Sequence, residues 1–243
     1  MKQTYRIAEK NIEINSLYAE VHSLCADYLT GAAPDFTVLI TQEDIDRERQ
    51  KYVRETVSEG LPVKRFPDSY LETLAVYRKI ADKMPSYNTV LFHGSAIAVD
   101  GQAYLFTAKS GTGKSTHTRL WRAVFGNRAV MINDDKPLLR VTENHVAVCG
   151  TPWNGKHRLG ANVSVPLNAV CILERGETNA ITKLPANAAL PFLLQQMYRP
   201  ADSAALTASL ALLETLMKRV GLYKLQCNIS REAAEIAYRG MQS

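Results

Sequence analysis

The chain has 243 residues, enough for one large or two modest domains with a substantial core. Its 46% hydrophobic and 22% charged residues are typical of a globular protein, and the net charge of +5 comes without a dense Lys/Arg run, so we expect no nucleic-acid partner. The first residues lack the apolar core of a signal peptide and no stretch reaches membrane-spanning length, so we expect a cytoplasmic protein with no membrane partner. Four widely separated cysteines without a CxxC pair predict free thiols rather than a zinc site or disulfides.

The first third of the chain predicts a small α+β domain, residues 1–87, without an evident chemical motif. Strand patterns at 4–8 and 11–15 indicate a hairpin, apolar spacing at 16–28 indicates a helix, and 36–40 indicates a strand. A charged helix is expected over 41–56, because Thr41, Glu43 and Asp44 supply capping groups at its start. A further helix is predicted from 67 to 83, before Pro85.

Residues 88–243 predict a second domain with a mixed, hairpin-rich sheet followed by helices. Strands at 90–99 and 103–107 meet at Asp100-Gly101, a strong two-residue turn signal. A second hairpin is predicted from 137–141 and 145–149, and further strands at 128–132, 168–173 and 222–227. Helices are predicted at 187–198, 203–220 and 231–241. This hairpin content argues against a purely parallel sheet.

The sequence AKSGTGKST, residues 108–116, predicts a phosphate-binding loop, because it lies between the 103–107 strand and a helical segment at 115–125. Glycines allow a tight turn that offers amide groups to phosphate, Lys114 would reach the outer phosphates, and the Ser115 hydroxyl would complete a Mg²⁺ shell. Ala108 replaces the usual first glycine, which is tolerated where no positive φ is needed. An ordinary Gly/Ser/Thr-rich turn is the alternative. The candidate nucleotide-binding residues are Ser110, Gly111, Thr112, Gly113, Lys114, Ser115 and Thr116.

The pair Asp134-Asp135 follows the strand predicted at 128–132. Its two carboxylates could perform two separate functions. One would assist Mg²⁺ and the other would accept the proton of an attacking hydroxyl. Asp135 is the candidate metal ligand together with Ser115, and both aspartates are candidate catalytic residues. The alternative is an Asx turn between two strands. His93 is the third catalytic candidate, on the condition that it lies near the aspartates.

The loop after residue 149 is polar and glycine-bounded, and it concentrates basic side chains. Lys156 and Arg158 are candidates to contact phosphate or the acceptor. A solvated basic turn is the alternative.

Three segments together, VLFHGSAIAVDG, AYLFTAKSGTGKST and AVMINDDKPLL, resemble the HPr serine kinase/phosphorylase superfamily, whose core is shared with the ATP-dependent phosphoenolpyruvate carboxykinases. The resemblance runs from about residue 88 onward and implies an α/β fold with a P-loop kinase core of that type. It implies that His93 is the active-site histidine, and that Lys114 and Ser115 hold phosphates and Mg²⁺. Ala108 and the lack of the family's glycine-rich signature indicate a divergent member.

The function expected from this resemblance is ATP- and Mg²⁺-dependent phosphorylation of a serine-type hydroxyl on a peptide, protein or small molecule. The resemblance also admits a homo-oligomer. Two alternatives come from other classes: a nucleotide-binding regulatory or assembly module with little turnover, towards which Ala108 points, and a simple NTPase.

Overall fold

A computed structural model describes residues 1–155 and 157–242, and it shows an α/β protein with a mixed sheet and C-terminal helices. Two compact units divide the chain, Met1–Lys83 and Met84–Ser243. The boundary lies just before the 3-10 turn Met84–Tyr87, whose residues belong with the second unit. Across the described part of the chain, no helix is both long and apolar enough to cross a bilayer.

The first unit is a three-stranded sheet with helices. Its strand order is β1-β2-β3, with β1 antiparallel and β3 parallel to β2. The elements are β1 (Lys2–Ile7), β2 (Lys10–Asn15), α1 (Glu20–Leu24), β3 (Phe36–Leu39), α2 (Gln42–Ser58) and α3 (Asp68–Lys83). The predicted hairpin, third strand and last two helices are confirmed. The predicted helix over 16–28 is wrong in extent, because the chain there forms only α1 and a 3-10 turn, Ala26–Tyr28.

Helix α2 begins as its sequence predicts. The Asp44 carboxylate accepts a hydrogen bond from the Thr41 amide at 2.9 Å, which satisfies a donor that the first turn of a helix leaves free. The same carboxylate lies 2.6 Å from the Lys79 ammonium of α3. Local capping and a contact to the next helix thus fix the position of α2 in this unit.

The second unit carries the chemical motifs. Its strands are β4 (Thr89–Leu91), β5 (Ser95–Val99), β6 (Gln102–Thr107), β7 (Ala129–Asn133), β8 (Leu138–Val141), β9 (Val146–Cys149), β10 (Ser164–Arg175), β11 (Ala180–Lys183) and β12 (Gly221–Cys227). Its helices are α4 (Lys114–Phe125), α5 (Ala186–Gln196), α6 (Ser203–Arg219) and α7 (Arg231–Gly240).

These strands form one mixed sheet with order β4-β8-β9-β10-β6-β5-β7, and β12 pairs with β10 and β11. Strand β10 is parallel to β6 and β12, whereas the other pairs are antiparallel. Apolar side chains of α5 and α6 pack on one face, and those of α4 and α7 pack on the other. The sheet is therefore the middle of three layers, which buries both of its faces.

One predicted strand of this unit is wrong. The segment 90–99 is not continuous, because β4 pairs with β8 and β5 pairs with β6 and β7. The chain changes partner at His93-Gly94, where a Cβ on Gly94 would lie 2.8 Å from the Leu105 side chain. The turn at Asp100-Gly101 is confirmed, with φ values of 52° and 78° that suit a two-residue hairpin. Strand β11 was not predicted, and β10 is longer than expected.

Candidate functional site

The glycine-rich loop, residues 108–113, joins the end of β6 to the start of α4. Gly111 and Gly113 have φ values of 77° and 124°, which residues with a Cβ atom rarely adopt. In the described part of the chain, the amides of these two glycines donate no hydrogen bond. The loop therefore offers free donors beside the positive end of the α4 dipole.

Ala108 is compatible with this geometry. Its backbone does not adopt a positive φ, and its methyl group packs in the core between the sheet and α4. Its carbonyl accepts a hydrogen bond from the Lys114 ammonium at 3.2 Å, so the lysine lies back across the loop. Burial lowers the pKa of Lys114, while the charges of Asp135 and Asp134 oppose that shift. Both carboxylates thus lie within electrostatic reach of this ammonium.

His93 lies at the break between β4 and β5. Its amide donates to the Gln196 carbonyl of α5 at 2.8 Å, and the next amide, of Gly94, donates to the Asp135 carbonyl at 3.0 Å. These two bonds bring the imidazole Nε2 to 3.5 Å from Asp135 Oδ1. His93 thus lies beside one of the two aspartates, Asp135, as the hypothesis for this residue requires.

Burial, and next the positive charge of Lys114, lower the pKa of His93, while Asp135 opposes that shift. The lowered pKa favours the neutral form of the imidazole. A neutral ring can hold a hydrogen bond to a carboxylate or a hydroxyl without adding charge to the site.

The two aspartates occupy different surroundings. Asp134 is buried, and its Oδ1 accepts a hydrogen bond from the Ser95 hydroxyl at 2.6 Å. Asp135 is about a third exposed, and its carboxylate contacts His93 and, at 3.3 Å, the Lys136 ammonium. The Asp134 carboxylate is thus buried and bonded to a residue of the sheet, whereas the Asp135 carboxylate is partly exposed to solvent.

The Asx turn weighed from the sequence is also present. Asn133 Oδ1 accepts from the amides of Asp135 and Lys136 at 2.9 and 2.7 Å. The Asn133 amide group donates to Thr151 Oγ1 at 2.9 Å. The turn fixes the backbone that carries both aspartates, so turn chemistry and a candidate site coexist at one place.

One cavity is lined by the loop and another by the first turns of α4. The larger, of about 650 Å³, is lined by residues 107–112, the end of β10 and three residues of α5, Phe192, Gln195 and Gln196. The smaller, of about 110 Å³, is lined by Ser115, Thr116, Thr118, Arg119, Arg122, Met131, Asp134, His157 and Leu159. Ser115 and Asp134 share the smaller cavity, whereas Asp135 does not line it.

Arg175 is a site residue that sequence reasoning missed. At the end of β10, its guanidinium donates to the carbonyls of Gly111 and Thr112 at 2.5 and 3.2 Å. Because β10 runs parallel to β6, the carboxyl ends of both strands meet at the loop. That pairing joins residues more than sixty positions apart, and no local pattern predicts it.

The basic loop after β9 is only partly described. Lys156 lies outside the described residues. Arg158 is exposed, has a φ of 48°, and lines neither cavity, whereas its neighbour His157 lines the smaller one. Among the described residues, no group of three or more His, Cys, Asp or Glu side chains could hold a metal ion by itself.

Comparisons with known proteins give one family. No curated protein matches the chain. The structure of the HPr(Ser) kinase/phosphatase from Coxiella burnetii matches with 10% identity and a TM-score of 0.34, over 63% of this chain and 99% of that one, a likeness too low to carry an argument. A family model described as SynChlorMet cassette protein ScmC matches residues 69–235, which is more than half of the chain. The chain therefore belongs to the ScmC family.

Proposed function

We propose that this protein is an ATP- and Mg²⁺-dependent phosphotransferase with a P-loop core, acting on a serine-type hydroxyl of a peptide, protein or small molecule. The observation that carries the proposal is the convergence of Lys114, Asp135 and His93 beside the glycine-rich loop. A loop alone would support phosphate binding, whereas the added carboxylate and imidazole supply proton-transfer groups.

The loop would bind the phosphates of ATP. The free amides of Gly111 and Gly113 and the Lys114 ammonium are donors that suit phosphate oxygens. Lys114 would leave the Ala108 carbonyl for the bound phosphates, exchanging a neutral acceptor for charged ones. In the transition state these donors would stabilise charge on the transferring group.

The donor set beside the loop fits Mg²⁺. A hydroxyl, Ser115, and a carboxylate, Asp134, line the same small cavity, and both are oxygen ligands of the kind Mg²⁺ prefers. Mg²⁺ needs few protein ligands where substrate phosphates and water complete its shell, which agrees with the absence of a three-residue cluster among the described residues. When bound, it would neutralise charge on the phosphate oxygens.

We assign Asp135 as the proton acceptor and Asp134 to the metal side. Asp135 is the more exposed of the two and has His93 against it, whereas one oxygen of Asp134 is occupied by Ser95. The acceptor hydroxyl would give its proton to Asp135 as its oxygen bonds to the γ-phosphorus. The bond from that phosphorus to the bridging oxygen breaks, and ADP leaves. This assignment replaces the expectation that Asp135 ligates the metal.

The experiment is incubation with γ-labelled ATP, Mg²⁺ and a panel of serine-containing peptides and small hydroxyl compounds. We expect label on an acceptor. Asp135→Asn should retain nucleotide affinity but lower the transfer rate about 100-fold or more, because it cannot take the proton. Glu143→Gln, an exposed carboxylate in the turn between β8 and β9, is the matched control. Free phosphate alone would show an NTPase, and native transfer by Asp135→Asn would refute the assignment.

Nucleotide binding is tested separately. Lys114→Ala should weaken ATP binding by roughly tenfold or more, since a hydrogen bond to a charged group contributes about 1.5–3 kcal/mol. Isothermal titration with a non-hydrolysable ATP analogue measures the loss. Lys218→Ala, a surface lysine of α6 paired with Glu214, is the control. Unchanged affinity in Lys114→Ala would show that phosphates do not bind at this loop.

The backbone of Ala108 bears on the alternative of an inactive binding module. Ala108 is the one sequence feature that favours a binding module with little turnover, and its backbone does not adopt the positive φ that would require glycine.

A further inference from the structure

One face of α4 carries arginines that the proposed reaction does not use. Ser115, Thr118, Arg119 and Arg122 have the spacing of residues on one side of a helix. All four line the smaller cavity, opposite Met131 and Asp134 at the end of β7 and His157 from the following loop. Its volume of about 110 Å³ exceeds that of a single water molecule, roughly 30 Å³.

The charge of this cavity is positive. Within the described residues, neither Arg119 nor Arg122 forms an ion pair, and the Arg122 Nε is buried without a hydrogen-bond partner. Among the described residues of the wall the one carboxylate is that of Asp134, and one of its oxygens already accepts a hydrogen bond from Ser95. A buried guanidinium donor without an acceptor costs free energy, and an oxyanion would supply the acceptor in a charge-assisted bond.

The position of the cavity indicates which substrate, the nucleotide or the acceptor, would supply the bound anion. The larger cavity, which is lined by the loop itself, has a volume within the range of small-molecule sites and includes Phe192, so it suits the nucleoside. The smaller cavity instead contains Ser115 and Asp134, the proposed Mg²⁺ ligands, and Asp134 is followed directly in the sequence by Asp135, the proposed proton acceptor. A group bound there would lie beside Mg²⁺ and close to the acceptor hydroxyl.

We propose that Arg119 and Arg122 form an oxyanion subsite that binds a carboxylate or phosphate group carried by the acceptor. The acceptor would then be an acidic hydroxyl compound or a serine with an acidic group beside it. The assignment to the acceptor rests on the proposed function, whereas oxyanion binding by the two arginines is measurable without it.

The test uses the full chain labelled with ¹⁵N on arginine, in low salt so that weak ionic contacts are not screened. With Mg²⁺ and a saturating ATP analogue present, inorganic phosphate and, separately, acetate are titrated while the arginine Nε–H resonances are followed. The signal missing in Arg122→Gln identifies that side chain. We expect a saturable shift of the Arg122 signal with both anions, lost in Arg119→Gln/Arg122→Gln and retained in Arg239→Gln, a surface control on α7.

The Arg122 signal could instead shift when the ATP analogue is added and then show no further shift with phosphate or acetate. That result would overturn the proposal, because it would assign the arginines to nucleotide binding. No shift under any condition would overturn the subsite itself. The same titration of nucleotide-free Lys114→Ala separates the two proposals. A retained shift there supports the subsite even if the loop binds no ATP, and a lost shift shows that the anion was bound at the loop.

Discussion

His117 and Trp121 form a buried polar pair inside α4. The Trp121 indole donates to His117 Nε2 at 3.0 Å, which assigns the ring proton to Nδ1, a buried atom without a partner among the described residues. Burial lowers the pKa of His117 to about 4. The side chain therefore stays neutral in the folded protein at pH values well above 4.

This shift predicts a pH-dependent stability. Below about pH 6.5 the unfolded chain binds a proton at His117 and the folded chain does not until about pH 4, so the free energy of unfolding should fall across that window. The loss is roughly 3 kcal/mol, at about 1.4 kcal/mol per pKa unit. Urea unfolding at pH 7 and pH 4.5 measures it.

His117→Gln should flatten that dependence, because it keeps an acceptor for Trp121 and cannot be protonated. His22 and His93, whose pKa values are also lowered, remain in both proteins, so the difference isolates His117. His145→Gln, on the exposed turn between β8 and β9, is the control. An unchanged pH dependence in His117→Gln would show that another group carries the effect.

At the scale of elements, the end of β10 fixes the loop that precedes α4. Arg175→Gln should weaken nucleotide binding about three- to tenfold, roughly 0.7–1.4 kcal/mol, because the loop must then be ordered on binding. The effect is modest because Arg175 is exposed to solvent. We expect the thermal midpoint to change little.

The matched control for Arg175 is Arg128→Gln. Arg128 likewise anchors a turn, through Asp100 between β5 and β6, but does not contact the loop. Titration calorimetry with an ATP analogue compares the two variants. Equal affinities for Arg175→Gln and the unsubstituted protein would mean that the loop is held without this arginine.

The elements also show which features of the fold the local sequence can predict. The Asp100-Gly101 turn, the α2 cap and the loop between β6 and α4 depend on neighbouring residues, and their patterns predicted them. The break at His93 and the contact of Arg175 depend on strands far away in the chain. Periodicity could not reveal them, since it records which face of an element is apolar and not which strand lies beside it.

At the scale of the whole molecule, we predict that residues 84–243 fold alone. Their apolar clusters on both faces of the sheet are built from the second unit. The fragment should unfold cooperatively in urea and bind an ATP analogue with the affinity of the full chain. A longer fragment, 69–243, begins where the family match begins and serves as the comparison. If only the longer fragment unfolds cooperatively, the boundary of the folding unit lies earlier in the chain, within α3.

Strand β10 has a consequence for the order of folding. The hairpin of β5 and β6 needs only a two-residue turn. In contrast, Leu167 of β10 must pair with Ala103 of β6, and Gly221 of β12 must pair with Ala169 of β10. Pairings between residues so distant in the chain close large loops and form slowly. Arg175 reaches the glycine-rich loop only after that closure. The anchored loop should thus be among the last features to form, and its appearance would report that the sheet is complete.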